Sequence, residues 1–352
     1  MNLSELDYAL PRDLIAQEPA ARREASRLLV LDRASGGVTH RGFDDLPGLL
    51  RAGDCLVLNE SRVIPARLRL VKEGTGGGVE ALLLRDLGGG RWETFLNPAG
   101  RVRAGLRLAH VSDRVRAIAV IEGREPSGRW TIRELDPVPG GLPATMGEMP
   151  LPPYIRRDGT DGQARLRALD VERYQTVYAR VPGSVAAPTA GLHLTEAILR
   201  ELASAGIETV RVLLHVGPGT FRPVTAERLE DHVMDGETFE VGESERGALC
   251  AALRGGRRIV AVGTTSVRVL ETLGPEGLAG DGPARGETAI FIRPGYAFRV
   301  VGALVTNFHL PRSTPLALVA AFAGLADVRR AYAEAVEAGY RFLSYGDAML
   351  IT

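Results

Sequence analysis

The sequence predicts an α/β protein: a larger α/β domain built from both chain ends, with a small antiparallel β-barrel domain inserted into it. Three observations predict this. Short alternating segments fill the stretch from about Arg62 to Leu135, a Pro- and Gly-rich stretch follows, and strand-to-helix repeats run from there to the C-terminus.

The insert is written as ARLRLV, VEALLLRDL, RWETFL, LRLAHV, RVRAIAVIE and RWTIREL, separated by GTGGG, LGGG, NPAG and PSG. A period of two between tight turns is hairpin text, and this many short strands predict a small barrel. Asp136 to Pro153, DPVPGGLPATMGEMPLPP, then reads as a linker at the domain boundary. The expected division is residues 1–61 with 151–352 for the α/β domain and 62–150 for the barrel and its linker.

The α/β elements follow from their periods. Cys55 to Asn59 is a strand lying before the insert. Leu194, Ile198, Leu199 and Leu202 fall at helical spacing behind Thr195, a predicted N-cap, and Gly206 suits the C′ position before the alternating strand Thr209 to His215. A second unit runs from RRIVAVG through Thr264, Thr265 and Ser266 into the helix VRVLETL. A third runs from GALVTNF through HLPRST into PLALVAAFAG, with Pro315 at the first helical position. AYAEAVEAGYRF predicts a last helix with its Gly stop, and Ala348 to Ile351 a last strand.

Composition excludes several function classes. The chain has 352 residues, enough for two domains with cores of their own, and 43 Lys+Arg balance 43 Asp+Glu. No global field therefore steers it to nucleic acid or an anionic membrane. Locally, Glu60 to Leu135 holds 14 Lys+Arg against 9 Asp+Glu, so the insert is the basic part. Cys55 and Cys250 lie far apart without a CxxC pair, which points away from disulfides and thiolate zinc and toward a cytoplasmic location. No membrane partner is expected, because the longest apolar run, Pro315 to Gly324, is too short to span a bilayer. Lys72 is the one lysine and lacks a Walker context, so Schiff-base and P-loop chemistry are disfavoured.

Histidines beside loops carry the candidate chemistry. His193 stands in PTAGLHLT with Thr189 and Gly191, His215 in LLHVGPGTF with Gly217, and His309 in TNFHLPRST with Asn307. Ligands of α/β sheets bind beyond the carboxyl ends of the strands, so His215 and His309 are expected to converge on one crevice with His193 above it. The start of the Thr264, Thr265, Ser266 helix offers N–H groups and a dipole to an anion, with Arg268 as a second contact, although N-capping by Ser266 explains the same text. Asp231 and Glu237 around His232 suit proton transfer or an amine. His232, Asp235 and Glu237 also carry metal-ligand atoms, but their spacing matches no strong zinc pattern and no metal is expected.

The strings YQTVYARVPGSVAAPTAGLHLT, LLHVGPGTFRPV, AVGTTSVRVLE, TNFHLPRSTPLALVAAFAG and YRFLSYGDAML, with LIAQEPAARREASRLLVLDR and NESRVIPARL, closely resemble the S-adenosylmethionine:tRNA ribosyltransferase-isomerase family of queuosine biosynthesis. The likeness runs from Tyr8 to Met349. Two departures stand out: the family usually reads His-x-Met-His-x-Glu where this chain has His232, Met234, Asp235 and Glu237, and Asn-Asn or Asn-Asp where it has Asn59 and Glu60.

The resemblance implies transfer and isomerisation of the ribosyl part of S-adenosylmethionine onto a 7-aminomethyl-7-deazaguanine base at the tRNA wobble position. Epoxyqueuosine-tRNA, adenine and methionine would be the products. S-adenosylmethionine would be a consumed co-substrate, with no tightly bound cofactor, and the protein is expected to act as a monomer. Under this reading His193 and His215 are the candidate base and acid, and Glu237 or Asp231 meets the aminomethyl group. Thr264 to Ser266 and Arg268 hold the methionine carboxylate, and adenine stacks on Tyr178. Arg62, Arg67, Arg69, Arg101 and Arg103 meet tRNA phosphates. The competing readings are a non-catalytic tRNA-binding protein and a hydrolase using His and carboxylate groups.

Overall fold

The computed structural model describes residues 1–352 except 138, 158–163, 218, 220–223 and 225. The chain forms two compact units, one of Met1–Ser61, Pro152–Val181 and Ala187–Thr352, the other of Arg62–Leu151 and Pro182–Ala186. The fold class expected from sequence is the one observed, an α/β unit and a closed antiparallel barrel.

The first unit is built on a nine-stranded mixed sheet. Its centre is a parallel run of Glu208–Leu214, Cys55–Asn59, Ile259–Val262 and Ala303–Asn307. The strand Cys55–Asn59 is buried along its whole length, as a strand covered on both faces must be. Antiparallel strands close both flanks: Glu237–Val241 and Ala284–Thr288 beyond Glu208–Leu214, and Ala348–Ile351 beyond Ala303–Asn307. The sheet then continues through Arg27–Leu31 to the edge strand Val38–Gly42. All four central strands therefore end at the same rim.

Helices cover this sheet as their apolar spacing demands. In Glu196–Ser204, Ile198 and Leu202 are buried one turn apart, and Thr195 Oγ1 accepts the Ile198 N–H at 3.2 Å as the predicted N-cap. The helix Thr264–Leu278 starts behind Gly263, whose φ of 86° explains the glycine, and breaks at Gly274 ahead of Pro275. Ser313 caps Thr314–Ala323 through the Leu316 N–H, with Pro315 in its first turn. Among the described residues no helix is long and apolar enough to cross a membrane.

In the second unit six strands close in the order Trp130–Glu134, Arg91–Pro98, Gly78–Gly88, Arg67–Lys72, Arg107–His110 and Asp113–Arg124. Leu68, Leu70, Leu83, Leu108, Ile121 and Ile132 fill its interior. The stretch read as a linker is more ordered than its composition suggests. It carries the helix Gly141–Met146, entered through the positive φ of Gly140 and Gly141, and packs Leu142 into the barrel core. The buried Glu134 carboxylate secures it, accepting from Trp92 Nε1 at 2.8 Å and from the Leu142 N–H at 3.0 Å. Lys72 is a staple: its Nζ donates to the Ala99 and Arg101 carbonyls at 2.6 and 2.9 Å.

Candidate active site

Beyond the carboxyl ends of the Ile259–Val262 and Ala303–Asn307 strands the α/β unit forms a cleft. Its polar wall comes from Thr189, Thr264, Thr265, Thr306, Asn307 and His309. Two helix N-termini, those starting at Thr264 and Thr314, reach it. Helix geometry leaves the first N–H groups of each without intrahelical partners, and their dipoles make this rim positive.

Ser266 does not cap its helix. Its Oγ donates back to the Val262 carbonyl at 2.8 Å, and Gly263 occupies the cap position. The N-capping alternative for the TTS text is therefore overturned. Thr265 Oγ1 is buried without a hydrogen-bond partner at the cleft wall.

The histidines separate by environment. His309 lines the cleft with Nε2 2.8 Å from Thr306 Oγ1, and its backbone is clamped, the carbonyl accepting from Tyr8 Oη at 2.5 Å and the N–H donating to Tyr332 Oη at 3.1 Å. Burial pushes its pKa down to about 3. His193 is also buried, 3% exposed, and packs on Phe43, but it stands behind Asn307 and is not at the cleft surface. Its Nδ1 lies 2.9 Å from Ser26 Oγ and its Nε2 3.1 Å from Asn307 Nδ2, while burial, helped by the Arg23 charge, lowers its pKa to about 4. His215 is half-buried with Nδ1 unpartnered, and burial lowers its pKa as well. It follows the strand Glu208–Leu214 at the same rim but, unlike His309, lines neither described cleft, so the expected convergence of the two rings is not seen there, and its loop runs into residues outside the described ones. His232 packs edge-on against Phe291.

Glu237 and Arg268 form a buried ion pair, 5% and 6% exposed. Glu237 Oε2 accepts from Arg268 Nη1 and Oε1 from the Gly217 N–H at 2.8 Å, so both carboxylate oxygens are engaged. Burial raises the Glu237 pKa against the opposite pull of the Arg268 guanidinium. Arg268 lines a smaller cleft that shares Thr264, Thr265 and Pro315 with the main one.

Other candidates lie elsewhere. The Tyr178 ring is buried in the α/β core, with its hydroxyl against the backbone of Gly191, and offers no face to a base. Asp231 is exposed in the short turn Leu229–Asp231 and lines neither cleft. In the barrel, Arg67 pairs with Glu80 and donates to the Leu151 carbonyl, and Arg69 pairs with Glu148. Arg62, Arg101 and Arg103 are exposed and hold no ion pair among the described residues. Thr306, Ser26, Tyr8 and Tyr332 are participants that sequence reasoning missed. Only Thr306, inside TNFHLP, had a signal in its neighbours.

The chain matches a family model described as queuosine biosynthesis protein over residues 3–351. It belongs to that family. Among queuosine biosynthesis proteins, two relatives named S-adenosylmethionine:tRNA ribosyltransferase-isomerase align end to end with it. One, from an Anaeromyxobacter species, is 51% identical and aligned over 100% of this chain and 99% of its own length. The other, from Symbiobacterium thermophilum, is 50% identical over 100% of both. A crystal structure of S-adenosylmethionine tRNA ribosyltransferase from Thermotoga maritima matches 99% of this chain and 100% of that one, with a TM-score of 0.55 and 36% identity. In this queuosine biosynthesis protein Asp235 lies near Glu237 and adds to the rise in its pKa.

Proposed function

We propose that this protein transfers and isomerises the ribosyl group of S-adenosylmethionine onto the 7-aminomethyl-7-deazaguanine wobble base of tRNA, releasing adenine and methionine. S-adenosylmethionine is consumed as a substrate, in the cytoplasm, by a monomer. The observation that carries this reading is the end-to-end match, at about half identity, to relatives bearing the ribosyltransferase-isomerase name. The protein incubated with S-adenosylmethionine and tRNA bearing the aminomethyl base should release free adenine and add the matching mass to the tRNA. Absence of both products with both substrates present refutes it.

The cleft is the proposed site of the nucleoside end of S-adenosylmethionine, with Thr189, Thr264, Thr265, Asn307 and His309 as its polar contacts. Reaction requires a proton to leave the carbon beside the sulfonium, and an unprotonated imidazole can take it. His215, adjacent in the chain to the cleft residue Val216, is the proposed acceptor, its Nδ1 having no hydrogen-bond partner. His215→Gln should lower turnover about 100-fold with S-adenosylmethionine binding retained. Turnover within a factor of two of the parent would remove His215 from the chemistry.

Binding of tRNA is proposed to rest on the arginines that the barrel leaves unpaired. Charge reversal of Arg101 and Arg103 together should weaken tRNA affinity and flatten its salt dependence by about two phosphate contacts. A filter-binding series across salt concentrations checks this, and an unaltered slope would sink the assignment.

A further inference from the structure

Asn307 has an amide whose direction the surrounding bonds decide. Its Nδ2 faces the Asp347 carbonyl at 3.5 Å, which can only accept, and His193 Nε2 at 3.1 Å. Ser26 Oγ donates to the Arg23 carbonyl at 3.4 Å, so toward His193 it accepts, and the imidazole proton sits on Nδ1. His193 Nε2 is therefore a lone pair that takes an Asn307 N–H. What remains is Asn307 Oδ1, buried and without a partner, in a residue 2% exposed at the cleft wall.

An unpaired buried acceptor is costly, and a ligand donor relieves it. The chemistry of the cleft restricts that donor. No Asp, Glu, Lys or Arg lines it among the described residues, and two positive helix ends face it, so an ammonium would be desolvated with no counter-charge. A carboxylate suits the helix ends but brings no N–H. A flat, uncharged ring with an exocyclic amino group satisfies Oδ1, and its ring nitrogens accept from Thr265 Oγ1 or the helix N–H groups. Ala187, Ala190, Val216, Leu310 and Leu343 supply apolar walls for its faces.

We infer that Asn307, aimed by His193, reads the 6-amino group of the adenine ring of S-adenosylmethionine. This rests on the proposed function. His193 is then a positioning residue, holding the amide in one of its two orientations.

The test is calorimetric binding of S-adenosylhomocysteine and its deaminated 6-oxo counterpart, S-inosylhomocysteine, to the full chain. The 6-oxo group would set an acceptor against Oδ1, so the amino compound should bind at least about tenfold tighter. Asn307→Ala should bring the two within about twofold of each other, and His193→Leu should erode the preference in the same direction while S-adenosylhomocysteine still binds. Equal binding of both compounds to the unaltered protein overturns the inference, whether or not the variants fold, as does a tenfold preference that survives in Asn307→Ala. Normal adenine release with no amino preference sinks this inference alone. No release and no binding of either compound sinks the proposed function with it.

Discussion

Glu237→Ala is expected to cost the α/β unit about 3–5 kcal/mol, the largest stability loss of any single polar substitution considered, because it strands a buried guanidinium. Arg268 is 6% exposed, and its only other hydrogen bond among the described residues runs from Nη2 to the Thr288 carbonyl at 3.3 Å. The Gly217 N–H loses its acceptor in the same step. Replacing both partners, Glu237→Gln with Arg268→Met, should recover a good part of that loss, since neither member is then left charged in the interior. Urea unfolding of Glu237→Gln, Arg268→Met and the double variant forms the cycle that reads the coupling. Single and double losses that simply add would show that the pair does not act as a unit.

Acid should loosen the protein well above the pH at which carboxylates titrate. His193 and His309 have folded-state pKa values lowered to about 4 and about 3 from an unfolded 6.5. As pH falls through 6.5 the unfolded chain binds protons that the folded chain refuses, so the unfolded state gains. The contribution of each ring is fully present above pH 6.5. It declines below that value and is exhausted near pH 4 for His193 and near pH 3 for His309. By pH 5 the loss is roughly 2 kcal/mol per histidine. Unfolding free energies measured from pH 8 to 4.5, with the imidazole Cε1–H signals followed by NMR, check it. A flat profile over that range, or either ring titrating near 6.5 in the folded protein, would contradict the burial argument.

Much of the architecture was legible because it is written in periodic apolar text. The strands Cys55–Asn59, Ile259–Val262 and Ala303–Asn307 are fully buried runs, and the Thr195 cap, the Gly206 stop and the barrel hairpins follow local rules. The strands Val38–Gly42 and Ala284–Thr288 were not legible. Both are edges with mostly exposed, polar middles, so the usual apolar alternation is missing and only pairing makes them strands. The place of NFHLP at a cleft was readable from the rule that ligands bind beyond the ends of parallel strands, with PTAGLH beside it, whereas His215 of LHVGPGT, expected in the same crevice, lines neither described cleft. The individual roles were not readable. That His193 stands behind Asn307 depends on Ser26 and Phe43, and that Tyr178 is core depends on Gly191, contacts between distant positions that no local pattern announces.

The central place of Cys55–Asn59 has a consequence for biosynthesis. This strand leaves the ribosome early, yet its two neighbours in the sheet, Glu208–Leu214 and Ile259–Val262, come from the second half of the chain. The barrel strands, all encoded by Glu134, can pair among themselves during that interval, whereas the apolar strand before them waits with both edges open. Such a delay between synthesis and pairing is where a nascent chain is prone to aggregate, so the N-terminal segment, not the insert, is the part that a chaperone at the exit tunnel would have most reason to hold.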